Sequence, residues 1–370
     1  MNIYRLIFIF LIILFLFEDS IRKNKKIYRI LKILVVIIII FIVGLRGLIS
    51  SDSENYYKAF KNIPDLFNLS FDYLNKQVIE KGYLILNSFI KTLSFDFWMV
   101  FFIVAAISLI NISIFINYFS KYFFYSLAFY YTRWLFLKEF TQIRSGLACS
   151  FLYLGFIQLH KNKYRNYILL ILVGSIFHKS VLFGLTFPIF NYFFSKRYFN
   201  KIVLISIFIL PFINTKIFLD KILVHALSKN SVYLTGVYSS RNNYIGVYYS
   251  FLFLGIILLF NCYFKKSEKL NLLKNLFIYS VFINSSLFYY GDICGRLSSF
   301  FNIEFVIQDK FLEIFKNKIF IKVLMIIFLV LLFKINFINR VEKKITPYKF
   351  YFNEMVYKNK EINYEDINFR

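Results

Sequence analysis

The 370-residue chain has only three cysteines, four prolines and twenty acidic side chains. Cys149, Cys262 and Cys294 are odd in number, lie at unrelated places and form no CxxC pair, so no disulfide framework is written here. P-loop, glycine-rich dinucleotide fingerprint, HExxH and GxSxG are all missing, which sets a nucleotide-dependent cytoplasmic enzyme aside. The first apolar run, 3–17, is followed by acidic EDS and not by a small-residue cleavage site, so it reads as a retained helix. With no internal repeat and no low-complexity linker, the expectation is a single transmembrane domain over 1–340 and a polar, basic tail at 341–370.

What is abundant is apolar and aromatic surface, 59% and 22% of residues, with a mean hydropathy of +0.61. A soluble domain averages about 45–50% apolar. Apolar runs fall near 2–17, 30–49, 97–119, 122–138, 142–159, 166–177, 179–194, 201–215, 244–264, 273–290, 298–315 and 319–338. The longer ones match the roughly 20 residues a helix needs to cross about 30 Å of hydrocarbon. The expected fold is an all-α polytopic integral membrane protein with about ten to twelve transmembrane or re-entrant helices. The net charge of +25 reads as loop charge facing an anionic leaflet, with membrane lipids as partners and no nucleic acid.

Lys and Arg in short loops set the orientation. RKNKKIYRILK after the first run, HKNKYR at 160–165 and KKSEKLNLLK at 265–274 are placed in the cytoplasm. Loops 50–95 and 216–243 are then outside. A single helix over 166–194 would be about 43 Å long and would carry SKRYFNK outside. A turn or re-entrant hairpin at SIFHKS obeys the charge rule and puts His178 at an outward tip. Stretches 81–93 and 216–229 have amphipathic periodicity and read as surface-lying helices.

In this topology the unusual polar residues gather on one side: Arg46, Asp52, Glu54, Gln142, Arg144, His178, Lys179, Arg241, Asp292, Arg296 and Lys349. Each has a plain explanation alone: snorkelling for Arg46 and Lys349, a polar cap for His178, solvated loop charge for Asp52 and Glu54, an i, i+4 pair for Asp292 with Arg296. Outside cations run against the positive-inside rule, so their coincidence asks for another reason. Guanidinium and ammonium groups beside carboxylates and an imidazole suit a phosphorylated lipid head. The cations would hold phosphate oxygens, and a carboxylate or His would accept the proton of an attacking hydroxyl.

Six short motifs occur in a telling order: GLRGLISSDSENYY, EKGYLILNSFIKTLS, QIRSGLA, FHKSVL, GRLSSFF and TPYKFYF. Together they resemble the EpsG family, a branch of the Wzy-type polysaccharide polymerases, over roughly residues 40–350. The family more often has Gly-Thr-Asp-Tyr before the tyrosines, where this chain has Ser51-Asp52-Ser53, so the matching acid is Asp52 or Glu54.

The resemblance implies a family C membrane glycosyltransferase in the bacterial inner membrane, polymerising undecaprenyl-pyrophosphate-linked repeat units at its outer face into O-antigen, capsule or exopolysaccharide. It implies pyrophosphate binding by Arg46, Arg144, Arg296 and Arg241, and acceptor activation by Asp52 or Glu54 and His178. Gln142, Lys179, Asp292 and Lys349 join them as substrate-binding candidates. No cofactor is expected. Asp52-x-Glu54 looks like a carboxylate pair, but with no third ligand visible no metal is expected either. The partners implied are the glycan donor and acceptor lipids and a separate chain-length regulator. A flippase, a glycan ligase and a membrane acyltransferase are the rival readings; the one-sided polar cluster favours an enzyme over a transporter, whose charges would sit at the midplane.

Overall fold

A computed structural model describes residues 2–50, 52–194, 196–213, 251–252, 254–255, 267–314, 317–345 and 348. Among them the chain builds helices and no sheet. Among the described residues three helices are long and apolar enough to cross a membrane: Lys25–Gly44, Trp98–Phe119 and Lys318–Ile338. Shorter apolar helices are Ile3–Leu16, Tyr164–Phe177 and Lys201–Phe212. The protein is an all-α polytopic membrane protein. Arg241, Lys349, Cys262, loop 216–243 and most of run 244–264 lie outside the described residues.

The chain divides into two compact units. The first comprises Met1–Leu154, Val173–Lys179 and Asn317–Arg370. It begins with α1 (Ile3–Leu16) and a short turn of helix, α2 (Glu18–Ile21), then α3 (Lys25–Gly44). Asn24 starts α3 by accepting the N–H groups of Lys26 and Ile27 at 3.1 Å each, two of the donors a helix leaves unpaired at its beginning. The expected outside loop is itself helical, with α4 (Ser53–Asn62), α5 (Phe71–Lys76) and α6 (Lys81–Thr92). α7 (Trp98–Phe119) follows, then α8 (Phe123–Tyr130), which runs on as a π-helix over Tyr131–Thr141, and α9 (Ile143–His160).

Hydrocarbon does not drive helices together, so close approach and ring packing must do it. At Gly44 an added Cβ would lie 2.8 Å from Phe102 Cα; the missing side chain is what lets α3 and α7 meet there. Phe8 stacks on Phe333 at 4.2 Å, and Tyr4 packs against Phe136, Phe140, Phe337 and Tyr348. Such ring pairs contribute about 0.5–1.5 kcal/mol each beyond their buried area. A separate buried cluster of Tyr56, Phe60, Tyr83, Ile90, Phe97, Phe101 and Ile143 seats α4 and α6 on α7 and the start of α9.

The second unit comprises Gly155–Leu172 and Ser180–Lys316. It contains most of α10 (Tyr164–Phe177), α11 (Phe187–Phe194) and α12 (Arg197–Ile209), then α13 (Glu268–Ser286) and α14 (Gly291–Ser298). Tyr279 is its hub: its ring touches those of Phe183, Phe187, Phe190 and Phe301, and its hydroxyl meets Thr186 Oγ1 at 2.6 Å. The Tyr167 hydroxyl donates to the Gly184 carbonyl at 2.6 Å. Residues 17 apart meet only if the chain doubles back between them. α10 ends at Phe177, and a 3-10 helix, Lys179–Thr186, begins the return.

Candidate active site

Glu80 occupies the N-cap of α6 in extended backbone, with a side chain only 12% exposed. Groups from two distant segments converge on its carboxylate. His178 Nδ1 lies 2.9 Å from Oε1, and the Lys179 N–H donates to the same oxygen at 3.4 Å. Arg144, in the first turn of α9, forms an ion pair with Oε2 through Nη1. Burial alone would raise the Glu80 pKa; the His178 hydrogen bond and the Arg144 charge outweigh it and hold the group at about 2.

That ionisation fixes the imidazole. A carboxylate only accepts, so the proton of neutral His178 sits on Nδ1 and its lone pair on Nε2. The aromatic floor is Tyr56 and Tyr83, whose ring centres lie 5.6 Å and 6.0 Å from the Arg144 guanidinium carbon. Burial raises the Tyr56 phenol above its ordinary pKa, with Arg144 opposing and Asp52 adding to the shift. Asp52 is therefore within electrostatic reach of the same ring. The cluster carries one net positive charge with His178 neutral, counting Arg144, Lys179 and Glu80, and two with it protonated.

Gly82 makes this assembly possible. A Cβ there would overlap Ile176 Cγ2 and sit 2.8 Å from the Ile176 carbonyl oxygen. Only glycine lets the first turn of α6 press against the last turn of α10, and that contact delivers Glu80 to the His178 turn. Gly146 does the same one motif later: its Cβ would lie 2.7 Å from the Lys138 carbonyl oxygen. α9 can thus start hard against the end of the π-helix.

Three segments far apart in sequence, EKGY, QIRSG and FHK, therefore meet at one carboxylate. The EpsG family profile matches residues 29–350. The chain belongs to the EpsG family. No curated protein and no solved structure matches it significantly. EpsG proteins are Wzy-type polymerase-like, so at the level of the family this is a glycosyltransferase-like membrane protein of polysaccharide biosynthesis.

The remaining residues expected in the EpsG site take varied places. Arg46 is fully buried, donating to the carbonyls of Val43 and Phe140 and lying 4.0 Å from the Phe101 ring centre. Tyr348 of the TPYKF motif donates to the Ile42 carbonyl at 2.8 Å beside it. Glu54 is exposed and pairs with Lys58 at 3.0 Å, an i, i+4 pair on α4. Asp52 caps α4 by position, without a side-chain cap bond. Gln142 ends the π-helix, its N–H on the Leu137 carbonyl and its own carbonyl accepting from Gly146 N–H, both at 2.8 Å. Asp292 and Arg296 lie on α14 in the second unit. Among the described residues no cluster of three His, Cys, Asp or Glu could hold a metal ion.

Sequence alone places Glu80 and Gly82 in the EKGY motif but gives neither a role. It also passes over Lys138 and Glu139, both buried, where the Tyr130 hydroxyl donates to Glu139 at 3.0 Å. An ionisable pair between two apolar runs was the available signal. π-helical turns of this kind are frequent at functional sites.

Proposed function

We propose that this EpsG protein joins polyprenyl-pyrophosphate-linked glycan repeat units, working from the outer face of a bacterial inner membrane. One observation supports the reading most: a cationic, partly open cluster assembled around Glu80 from three segments of the family pattern. In the step envisaged, an acceptor hydroxyl attacks the anomeric carbon of the donor chain. The new glycosidic C–O bond forms as the anomeric C–O bond to pyrophosphate breaks, and the lipid pyrophosphate leaves with the bonding pair. The hydroxyl proton passes to His178 Nε2, the nitrogen left basic by the Glu80 contact. Arg144 takes up the negative charge growing on the departing phosphate, a role for which five donors in a planar fork are suited. Lys179 adds a second cation at the same tip.

The test is a gel of surface polysaccharide from cells lacking this gene. A product one repeat long, in place of the ladder, supports polymerisation. Absence of any repeat unit at the surface refutes it in favour of flipping or ligation. In the complemented strain, His178→Ala is expected to give the single-repeat product at normal protein level, and an unchanged ladder would remove His178 from the mechanism.

A further inference from the structure

Away from the Glu80 cluster, α3 and α7 enclose a groove of about 720 Å³, within the roughly 300–1,000 Å³ of ordinary ligand sites. The helices run antiparallel and touch at Gly44 and Phe102. At the other end they leave a channel with Ile33, Val36, Ile37 and Ile40 on one wall and Ile110 and Ile114 on the other. Its mouth is basic. Lys25, Arg29 and Lys32 fall at i, i+4 and i+7, one stripe of α3, and all three line the groove. Lys32 Nζ is 2.5 Å from Asn117 Oδ1 and 4.5 Å from the Tyr28 ring centre. Among the described residues no carboxylate lines the groove. Glu18, behind Tyr28, is taken up by the Tyr28 hydroxyl at 2.7 Å and by the Phe124 N–H.

Length decides the occupant. From Lys25 to Ile40 is fifteen residues, about 22 Å of helix. A bilayer with its headgroups is about 40–45 Å thick, so one leaflet is about 20–22 Å. A charged mouth above an apolar slot one leaflet deep has the dimensions and polarity of a single phospholipid with an anionic head. We propose that the α3–α7 groove is a binding site for one anionic glycerophospholipid, its phosphate held by Lys25, Arg29 and Lys32 and an acyl chain lying between the two helices. This rests on charge and dimension alone and is independent of the glycosyl-transfer reading.

The experiment is native mass spectrometry of the full chain from bilayers of phosphatidylcholine with competing phosphatidylglycerol. One phosphatidylglycerol is expected to be retained with a preference of about tenfold or more, since each juxtamembrane cation near an anionic head is worth roughly a fivefold gain. Lys25→Gln with Arg29→Gln lowers that preference about fivefold or more, with Lys32 still at the mouth. Ile37→Trp, which fills the slot from a lipid-facing position, removes the bound lipid with the basic mouth intact. Lys161→Gln with Lys163→Gln, a charge-matched change in another basic loop, leaves both unchanged. The proposal is overturned if the wild type shows no preference, or if the control pair costs as much as the mouth pair. It is equally overturned if Ile37→Trp changes the oligomeric state while the lipid stays, which would give the groove to a second copy of the chain.

Discussion

Glu80→Gln is the sharpest perturbation of the site, because it keeps the shape of the side chain while removing its charge. The native carboxyl is held at about 2 against an ordinary 4.5. In full, that difference corresponds to about 3 kcal/mol of coupling to its partners; partial solvent access at the site lowers it to about 1–2 kcal/mol. The sign follows from the depressed pKa. The stabilisation is complete above about pH 4.5 and is lost only as pH falls towards 2, so at neutral pH the junction is fully charged. Any loss of activity between pH 7 and pH 5 must then come from a group other than Glu80.

Glutamine also presents an amide that can donate where the carboxylate only accepted, so the His178 proton is no longer confined to Nδ1. With the imidazole proton free to move and Arg144 no longer held, the rate should fall by about tenfold or more. The assay is polymerisation of a purified lipid-linked repeat unit, read beside the surface ladder at matched protein level. Glu80→Asp, which keeps the charge but withdraws it by one methylene, should fall between wild type and Glu80→Gln. Wild-type rate and ladder in Glu80→Gln would refute the argument. Loss of folded protein in both variants would make Glu80 a strut of the fold and nothing more.

Three further substitutions separate positioning from stability. Gly82→Ala should cost about 1–3 kcal/mol by overpacking against Ile176, and Ile176→Ala should restore only part of it, because the 2.8 Å clash with the backbone carbonyl remains; thermal unfolding of the single and double variants measures this, and full rescue would place the clash elsewhere. Arg144→Lys keeps the charge and loses the fork, so polymerisation should fall about tenfold or more with unaltered protein level, and a normal ladder would show that charge alone suffices. Arg46→Gln leaves two buried carbonyls short of their donor and should destabilise the fold by roughly 3 kcal/mol, read as a lowered unfolding midpoint; a stable but inactive variant would return Arg46 to the substrate.

The membrane class was legible from composition and run length, because the roughly 20-residue requirement acts on the chain locally. The helix end at His178 was legible too, since a 29-residue helix would have broken the charge rule. Glu80 was not. Its partners Arg144 and His178 are 64 and 98 residues away, and in isolation EKGY reads as a solvated loop acid. Its meaning depends on Gly82 permitting an approach that no local pattern announces. Arg46 shows the converse difficulty: an arginine ending an apolar helix looks the same in sequence whether it reaches a ligand or is sealed between Phe101 and Phe140. Of SDSENYY, Tyr56 meets the cluster, while Glu54 spends its charge on Lys58; which side of a ten-residue helix faces inward is set by the cluster it packs on.

Under the proposed function a carboxylate at the centre of a phosphate-binding site looks counterproductive, and its cost points to its use. Arg144 and a protonated His178, both drawn to one carboxylate, would repel one another whenever the site is empty. Glu80 offsets that repulsion and fixes their geometry before any substrate arrives, which is the preorganisation that electrostatic catalysis depends on. It also competes with an incoming phosphate for the Arg144 fork. A site built only of cations would bind the pyrophosphate product as tightly as the charge that forms during transfer, and would release it slowly. Under the proposed function, Glu80→Gln should therefore be slower in turnover yet more strongly inhibited by added inorganic pyrophosphate, at constant ionic strength, than the wild type. If the variant loses rate and pyrophosphate inhibition together, Glu80 only holds Arg144 in place. If rate falls while inhibition deepens, the carboxylate is what keeps the leaving group from staying.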